Sequence, residues 1–80
     1  MKLKQIASNM TELDLNGTKV LFSYSTPVAG FHLHGGNFKT DEKYSRTTTK
    51  HINKYFREEW GINPLSVREV DQTYIDGLVK

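Results

Sequence analysis

Apolar and polar residues alternate along the first half of the chain, most clearly over residues 11–15 and 18–24. A period of two is typical of a half-buried strand. Asn16-Gly17 separates the two segments, and this dipeptide favours the type I′ turn that matches the twist of a hairpin. The pattern therefore predicts a hairpin in which Leu13 pairs with Val20.

The alternation is interrupted at Thr26-Pro27 and resumes over residues 29–33. Proline cannot donate a ladder hydrogen bond, so we expect a bend or a change of strand at this point. Gly35-Gly36 then offers a two-residue turn, and its register would place Leu33 beside Phe38 and His32 beside Lys39.

The hydrophobic period changes after Lys43, where apolar residues recur at helical spacing. Ser45 or one of the three following threonines can cap a helix, and Gly61 is suited to end it. The apolar arc of this helix, predicted to cover the sheet, consists of Thr48, Ile52, Tyr55, Phe56 and Trp60.

The remaining segments predict short elements. Residues 67–70 can add a strand, and Asp71 can cap a final short helix. Residues 1–9 fit either a flexible segment or a short helical turn. We expect one domain over residues 1–80 of the α+β class, with an antiparallel meander of three to four strands packed on one main helix and a short carboxyl-terminal strand or helix.

Length and composition exclude several classes of protein. A chain of 80 residues fits one domain. Because it contains no cysteine, it cannot form a disulfide framework or a thiolate zinc cluster. Its longest strictly apolar run is three residues, so we expect neither a membrane span nor an export signal.

The net charge of +2 conceals an uneven distribution along the chain. Residues 1–42 contain four basic and four acidic side chains. Residues 43–57 contain five basic side chains and no acid, whereas residues 58–80 contain two basic and five acidic side chains. The positive charge is thus concentrated at the predicted main helix.

A helical projection places most of these cations on one arc of about 100°, opposite the apolar arc. We call this surface the basic face; it comprises Arg46, Lys50, Asn53, Lys54 and Arg57, with Lys43 just before the helix. Arg46 near the amino end and Glu58-Glu59 near the carboxyl end both oppose the helix dipole. A phosphate backbone would explain the arrangement, and the alternative is a solvated helix face without a partner.

Hydroxyl groups surround the predicted helix start. Ser45, Thr47 and Thr48 could hold an anion together with backbone N–H groups. The alternative, which the residue types favour, is that these hydroxyls cap the helix. The positions of Tyr44 and Tyr74 in the predicted elements permit both side chains to make surface contacts. The alternative, which is favoured for both, is that each side chain is partly buried.

No group of residues forms a convincing catalytic or metal site. His32 and His34 would share a strand face with His51 as a third ligand, but three histidines without cysteine are a weak zinc signal. The glycines have no phosphate-binding spacing, and so small a chain leaves little room for a pocket of about 300 Å³. We therefore expect no enzyme, no metal and no cofactor.

Two segments have a distinctive sequence. Residues 22–29 read FSYSTPVA, and residues 44–53 read YSRTTTKHIN. They resemble the FSY-x-TPVA strand and the YS-x-TT-x-x-HIN helix start of a family of small uncharacterised bacteriophage and prophage proteins. The resemblance covers about residues 10–56 and implies a phage origin and a compact domain. Because that family has no known function, it implies no catalytic or binding residues.

Together these features predict a non-enzymatic phage accessory protein that binds nucleic acid through the basic face, in the host cytoplasm and away from membranes. The alternative is a host-takeover or anti-defence protein that binds an acidic host protein through the same face or through a sheet edge. The sequence leaves the oligomeric state open.

Overall fold

The computed structural model describes residues 2–79, which form one six-stranded sheet with helices packed on both of its faces. Neighbouring strands pair in chain order and are antiparallel, except that the last two are parallel. The strands are β1 (Lys2–Ala7), β2 (Met10–Leu15), β3 (Thr18–Ser23), β4 (Thr26–His32), β5 (Gly36–Thr40) and β6 (Arg68–Val70).

The long connection between β5 and β6 contains the main helix, as a parallel pair requires. Helix α1 (Arg46–Lys54) continues directly into a π-helical segment (Tyr55–Trp60), and a 3₁₀ turn (Pro64–Ser66) precedes β6. Helix α2 (Gln72–Leu78) follows β6. No helix within residues 2–79 has the length and apolar character needed to cross a bilayer. The structure is thus a small mixed domain of strands and helices.

The hairpin of β2 and β3 is confirmed in turn and register. Asn16 and Gly17 both have positive φ, as a type I′ turn requires. Leu13 lies opposite Val20, and Asp14 lies opposite Lys19. The local pattern and the turn residues therefore determine this part of the sheet.

The amino-terminal segment is a strand, and its interpretation as flexible or as a helical turn is wrong for residues 2–7. Lys2–Ala7 pairs with β2, so that Leu3 lies opposite Leu13. Apolar spacing alone favours a helical turn here, but pairing with a preformed hairpin outweighs that local preference. With β6 at the opposite edge, the sheet has six strands rather than three to four.

The bend predicted at Thr26-Pro27 occurs two residues earlier. The chain turns at Tyr24, whose φ is 58°, and at Ser25, and Pro27 lies inside β4 opposite Phe22. The register shifts beside this pair, with Val28 as the extra residue. A bulge of this kind accommodates a proline within a sheet because it locally interrupts the ladder.

The register predicted between β4 and β5 is wrong by three residues. The turn comprises residues 33–35, so His32 lies opposite Gly36 and Gly30 lies opposite Phe38. Leu33 projects to solvent in this turn instead of pairing. Because Gly35 and Gly36 permit turns of several lengths, the dipeptide does not determine the register.

The main helix begins and ends where predicted. Ser45 accepts a hydrogen bond from the Thr48 N–H at 3.2 Å, and Gly61 at the end has φ 66°. The change to π hydrogen bonding at Tyr55 was not predicted. Tyr55 and Phe56 are adjacent in sequence, and both side chains are fully buried. The wider π-helical turn begins at this pair, where two successive side chains pack into the core.

Two hydrophobic clusters lie on opposite sides of the sheet. Alternating residues of β3 point into different clusters. Leu21 packs with Ile52 and Tyr55 on the α1 side of the sheet. Val20 packs with Ile75 on the α2 side. The predicted apolar arc of α1 faces the sheet, with Trp60 partly buried at its end. This packing fixes which face of α1 is turned to solvent.

Candidate nucleic-acid interface

The predicted basic face is formed by one continuous surface of α1 and the π-helical segment. Thr48 and Ile52 are buried against the sheet, so the residues on the opposite side of α1 face solvent. Lys50, Lys54 and Arg57 lie together along one groove of about 400 Å³ with Asn53 and Glu58. The π-helical turn therefore leaves Arg57 in line with the cations of α1.

A second groove continues the basic face past the start of α1. This groove has a volume of about 490 Å³, and Lys50 belongs to both grooves. Its lining residues are Lys43, Tyr44, Ser45, Arg46, Thr49 and Lys50. We call it the Tyr44 groove. Both grooves are open to solvent over much of their extent, unlike an enclosed substrate pocket.

One cation of the basic face is paired with an acid. Lys54 Nζ lies 3.1 Å from Glu58 Oε2, one helical turn further along. The other ion pair found in residues 2–79 joins Lys4 to Glu59 at 2.9 Å and involves no cation of the basic face. Lys43, Arg46, Lys50 and Arg57 have no acidic partner in the described structure. Four cations are therefore available to an anion.

Carboxylates border the basic face on one side. Asp41, Glu42 and Glu69 line a third depression, which also contains Lys43 and Asn53. Asn53 therefore lies at the boundary between the cationic strip and an acidic surface. The cationic strip is therefore bounded on this side by carboxylates, which repel a partner with negative charge.

The hydroxyls at the helix start mainly hold the helix in place, as the alternative interpretation stated. Thr48 is only 7% exposed and is hydrogen-bonded to Ser23 at 3.2 Å and to Ser45 at 3.4 Å. Ser45 also caps α1 through the Thr48 N–H. Thr48 is therefore wrongly predicted as an anion contact, Ser45 is occupied by its capping role, and Thr47 is exposed.

These hydroxyls form a chain that ends on His51. Each hydroxyl has one proton to donate. If Ser45 donates to Thr48, then Thr48 donates to Ser23, and Ser23 donates to His51 Nδ1 at 2.7 Å. Burial lowers the pKa of His51, which favours the neutral ring that this order of donors requires.

The three histidines do not converge. His34 lies in the turn after β4, not on the strand, and its N–H donates to His32 Nδ1 at 3.2 Å. His51 belongs to α1 and contacts Ser23 and the Tyr24 ring. Within residues 2–79 no three His, Cys, Asp or Glu side chains are grouped as a metal site would need.

Two exposed tyrosines lie beside α1. Tyr44 is 47% exposed in the Tyr44 groove, as its phase in the sequence permits. Tyr24 is 56% exposed, and its ring centroid is 5.7 Å from that of His51. The turn at Tyr24 directs its side chain outward. Burial, reinforced by Glu42 and Asp76, raises the pKa of Tyr44, so its ring is neutral near pH 7.

Comparison with family models matches residues 1–72 to a family of unknown function. The chain belongs to this family, DUF8033. No curated protein and no solved structure matches the chain. The description of DUF8033 assigns no activity and no binding residues.

Proposed function

We propose that this DUF8033 member is a non-enzymatic protein that binds nucleic acid through its basic face. The observation that supports this proposal most directly is the strip of four cations without acidic partners, Lys43, Arg46, Lys50 and Arg57. Residues 43–57 contain five basic side chains and no acid, so the strip is positive although the net charge is only +2.

The spacing of the cations suits a polyanion. Arg46 and Lys50 are four residues apart on α1, which corresponds to about 6 Å along a helix axis. Lysine and arginine at this spacing can contact successive phosphates and release condensed counterions. Such contacts position a nucleic acid without reading its sequence, so we propose binding with little sequence preference.

The arrangement does not stabilise the helix itself. Arg46 lies in the first turn of α1, where the helix dipole disfavours a cation by about 0.3–1 kcal/mol. The first turn of α1 contains no acid to compensate. A binding role for the basic face accounts for a charge pattern that folding alone does not favour.

Charge reversal tests the proposal. Lys50→Glu or Arg57→Glu should weaken the binding of a fluorescent oligonucleotide, measured by anisotropy, at least tenfold at low salt. Lys2→Glu is the matched control because it changes the net charge equally on exposed strand β1. Circular dichroism checks that each variant is folded. Equal binding by Lys50→Glu and Lys2→Glu would show that the basic face is not the site.

A second candidate is a protein partner, and one observation favours it. Edge strand β1 has no neighbour on its outer side in the six-stranded sheet, and Leu3 on this strand is exposed. An extended segment of another protein could pair with such an edge. Lys2 and Lys4 on the same strand oppose indiscriminate pairing and would favour an acidic segment.

We also propose a phage origin, which the resemblance of residues 22–29 and 44–53 implies. In that setting the protein would act in the cytoplasm of an infected host. The second candidate would then be a host-takeover or anti-defence protein. A pulldown from host lysate with and without nuclease separates the two, since nuclease removes partners held through nucleic acid only.

A further inference from the structure

The Tyr44 groove combines an exposed aromatic ring with three cations. Lys43 lies on one side of Tyr44 in the chain, and Arg46 and Lys50 line the same groove from α1. The groove has a volume of about 490 Å³ and is open to solvent over much of its extent, so a chain can lie along it. Tyr44 therefore borders a shallow depression in which three of the six lining residues are cations.

A ring and cations in one groove match the chemistry of a nucleotide. Aromatic side chains stack on the faces of bases, and neighbouring Lys or Arg side chains contact the phosphates. Tyr44 is neutral near pH 7, so it does not repel a phosphate. The Thr49 hydroxyl donates to the Ser45 carbonyl at 3.2 Å, so the groove offers mainly stacking and charge.

Only an unpaired base can use this ring. In a duplex the faces of the bases are stacked on each other, whereas a single strand presents them to a protein. The acids Asp41, Glu42 and Glu69 beside the cationic strip also oppose a second phosphate backbone on that side. Both features favour one strand over two.

The basic face continues beyond the groove, which favours a polymer over a free nucleotide. Lys50 is shared with the second groove, and Arg57 lies further along the same surface. A strand with a base at Tyr44 can therefore place later phosphates on Lys50 and Arg57.

We propose that the Tyr44 groove binds one base of a single-stranded nucleic acid, with the adjoining phosphates on the four unpaired cations Lys43, Arg46, Lys50 and Arg57. This inference rests on the proposed function and specifies its ligand. DNA and RNA strands have the same stacking and phosphate chemistry, and the experiment below distinguishes them.

The test compares three probes by fluorescence anisotropy: a DNA oligonucleotide of about 12 nucleotides, the RNA oligonucleotide of the same sequence, and the corresponding DNA duplex. The wild type should bind a single strand at least tenfold more tightly than the duplex. Tyr44→Leu should weaken single-strand binding by roughly 5- to 160-fold, as expected for the loss of one stacked base. Tyr44→Phe keeps the stacking ring and should bind nearly as the wild type does.

A second readout detects stacking itself. A 2-aminopurine base in the single strand should lose fluorescence when wild type or Tyr44→Phe binds, and much less when Tyr44→Leu binds at saturation. The comparison of Tyr44→Leu with Tyr44→Phe separates a stacking role from a merely structural one. Leu retains an apolar side chain at this position but has no ring to stack.

The possible failures are distinguishable. Duplex binding equal to or tighter than single-strand binding, together with unchanged affinity in Tyr44→Leu, would overturn this inference and leave the proposed function standing. Absence of binding to all three probes would overturn both. Preference for DNA or RNA between the single strands identifies which strand the groove accepts.

Discussion

The hydroxyl of Tyr55 donates a hydrogen bond to Glu12 Oε2 at 2.6 Å, in the interior between the π-helical segment and β2. Glu12 is only 7% exposed, and Tyr55 is fully buried. Burial and the adjacent carboxylate raise the pKa of Tyr55 far above its usual range, so the hydroxyl remains a donor. This contact anchors the segment that places Arg57 on the basic face.

Removal of that donor should destabilise the fold. Tyr55→Phe leaves a buried carboxylate without its hydroxyl donor, and such a loss costs about 1–3 kcal/mol, with charged groups at the upper end. We expect urea titrations to show that the free energy of unfolding decreases by this amount. Trp60, the only tryptophan of the chain, supplies the fluorescence signal.

A double-mutant cycle isolates the contact. Tyr55→Phe should cost much less in a Glu12→Leu background, because no carboxylate then needs the donor. Equal losses in both backgrounds would mean that the hydroxyl stabilises the protein through some other contact.

Two glycines should respond to alanine in opposite directions. A Cβ on Gly30 would lie 1.9 Å from the Lys19 carbonyl oxygen, so Gly30→Ala forces two paired strands apart. Gly77 in α2 has open space around its Cβ position. We expect Gly77→Ala to raise the unfolding free energy by about 0.5–1 kcal/mol, since alanine is the better helix former.

Thermal melts measure both glycine variants. Gly30→Ala should melt far below the wild type or fail to fold, while Gly77→Ala should melt a few degrees above it. A Gly30→Ala variant as stable as the wild type would contradict the register of β3 and β4 described above.

The pH dependence of stability should reflect His51. Because burial lowers its pKa in the folded state below the ordinary 6.5, the unfolded chain binds the proton more readily as the pH falls. This contribution to stability is complete above pH 6.5 and is lost as the pH falls below it. His51→Asn keeps a polar group near Ser23 but does not titrate there.

The measurement is the unfolding free energy of wild type and His51→Asn at several pH values between 5 and 8. The difference between the two proteins removes the contributions of other titrating groups. We expect wild type to lose more stability than the variant towards pH 5, and parallel curves would refute the role given to His51.

Local signals predicted the parts of the fold that depend on neighbours in sequence. Asn16-Gly17 determined a hairpin and its register, and Ser45 with Gly61 determined the ends of the main helix. Strand β1 was missed because its strand character depends on pairing with β2, which no local pattern contains. The register after β4 was missed because Gly35-Gly36 permits several turns.

Part of the candidate site could likewise be predicted from the sequence, and part could not. A helical projection was sufficient to group Arg46, Lys50 and Arg57, because the period of the helix determines which residues share a face. The ion pair between Lys54 and Glu58 could also be predicted, because residues four apart are neighbours on a helix surface. The Tyr44 groove and its acidic border depend on how the loop after β5 packs beside α1, so only the tertiary structure reveals them.

The salt dependence of binding tests the central claim most directly. Four phosphate contacts, from Lys43, Arg46, Lys50 and Arg57, predict that log K falls with log salt concentration at a slope of about −2.8 on a single strand, from about −0.7 per contact. Lys50→Gln with Arg57→Gln removes two contacts and should reduce the slope to about −1.4. Binding that is insensitive to salt, or a slope unchanged in the double variant, would contradict the account.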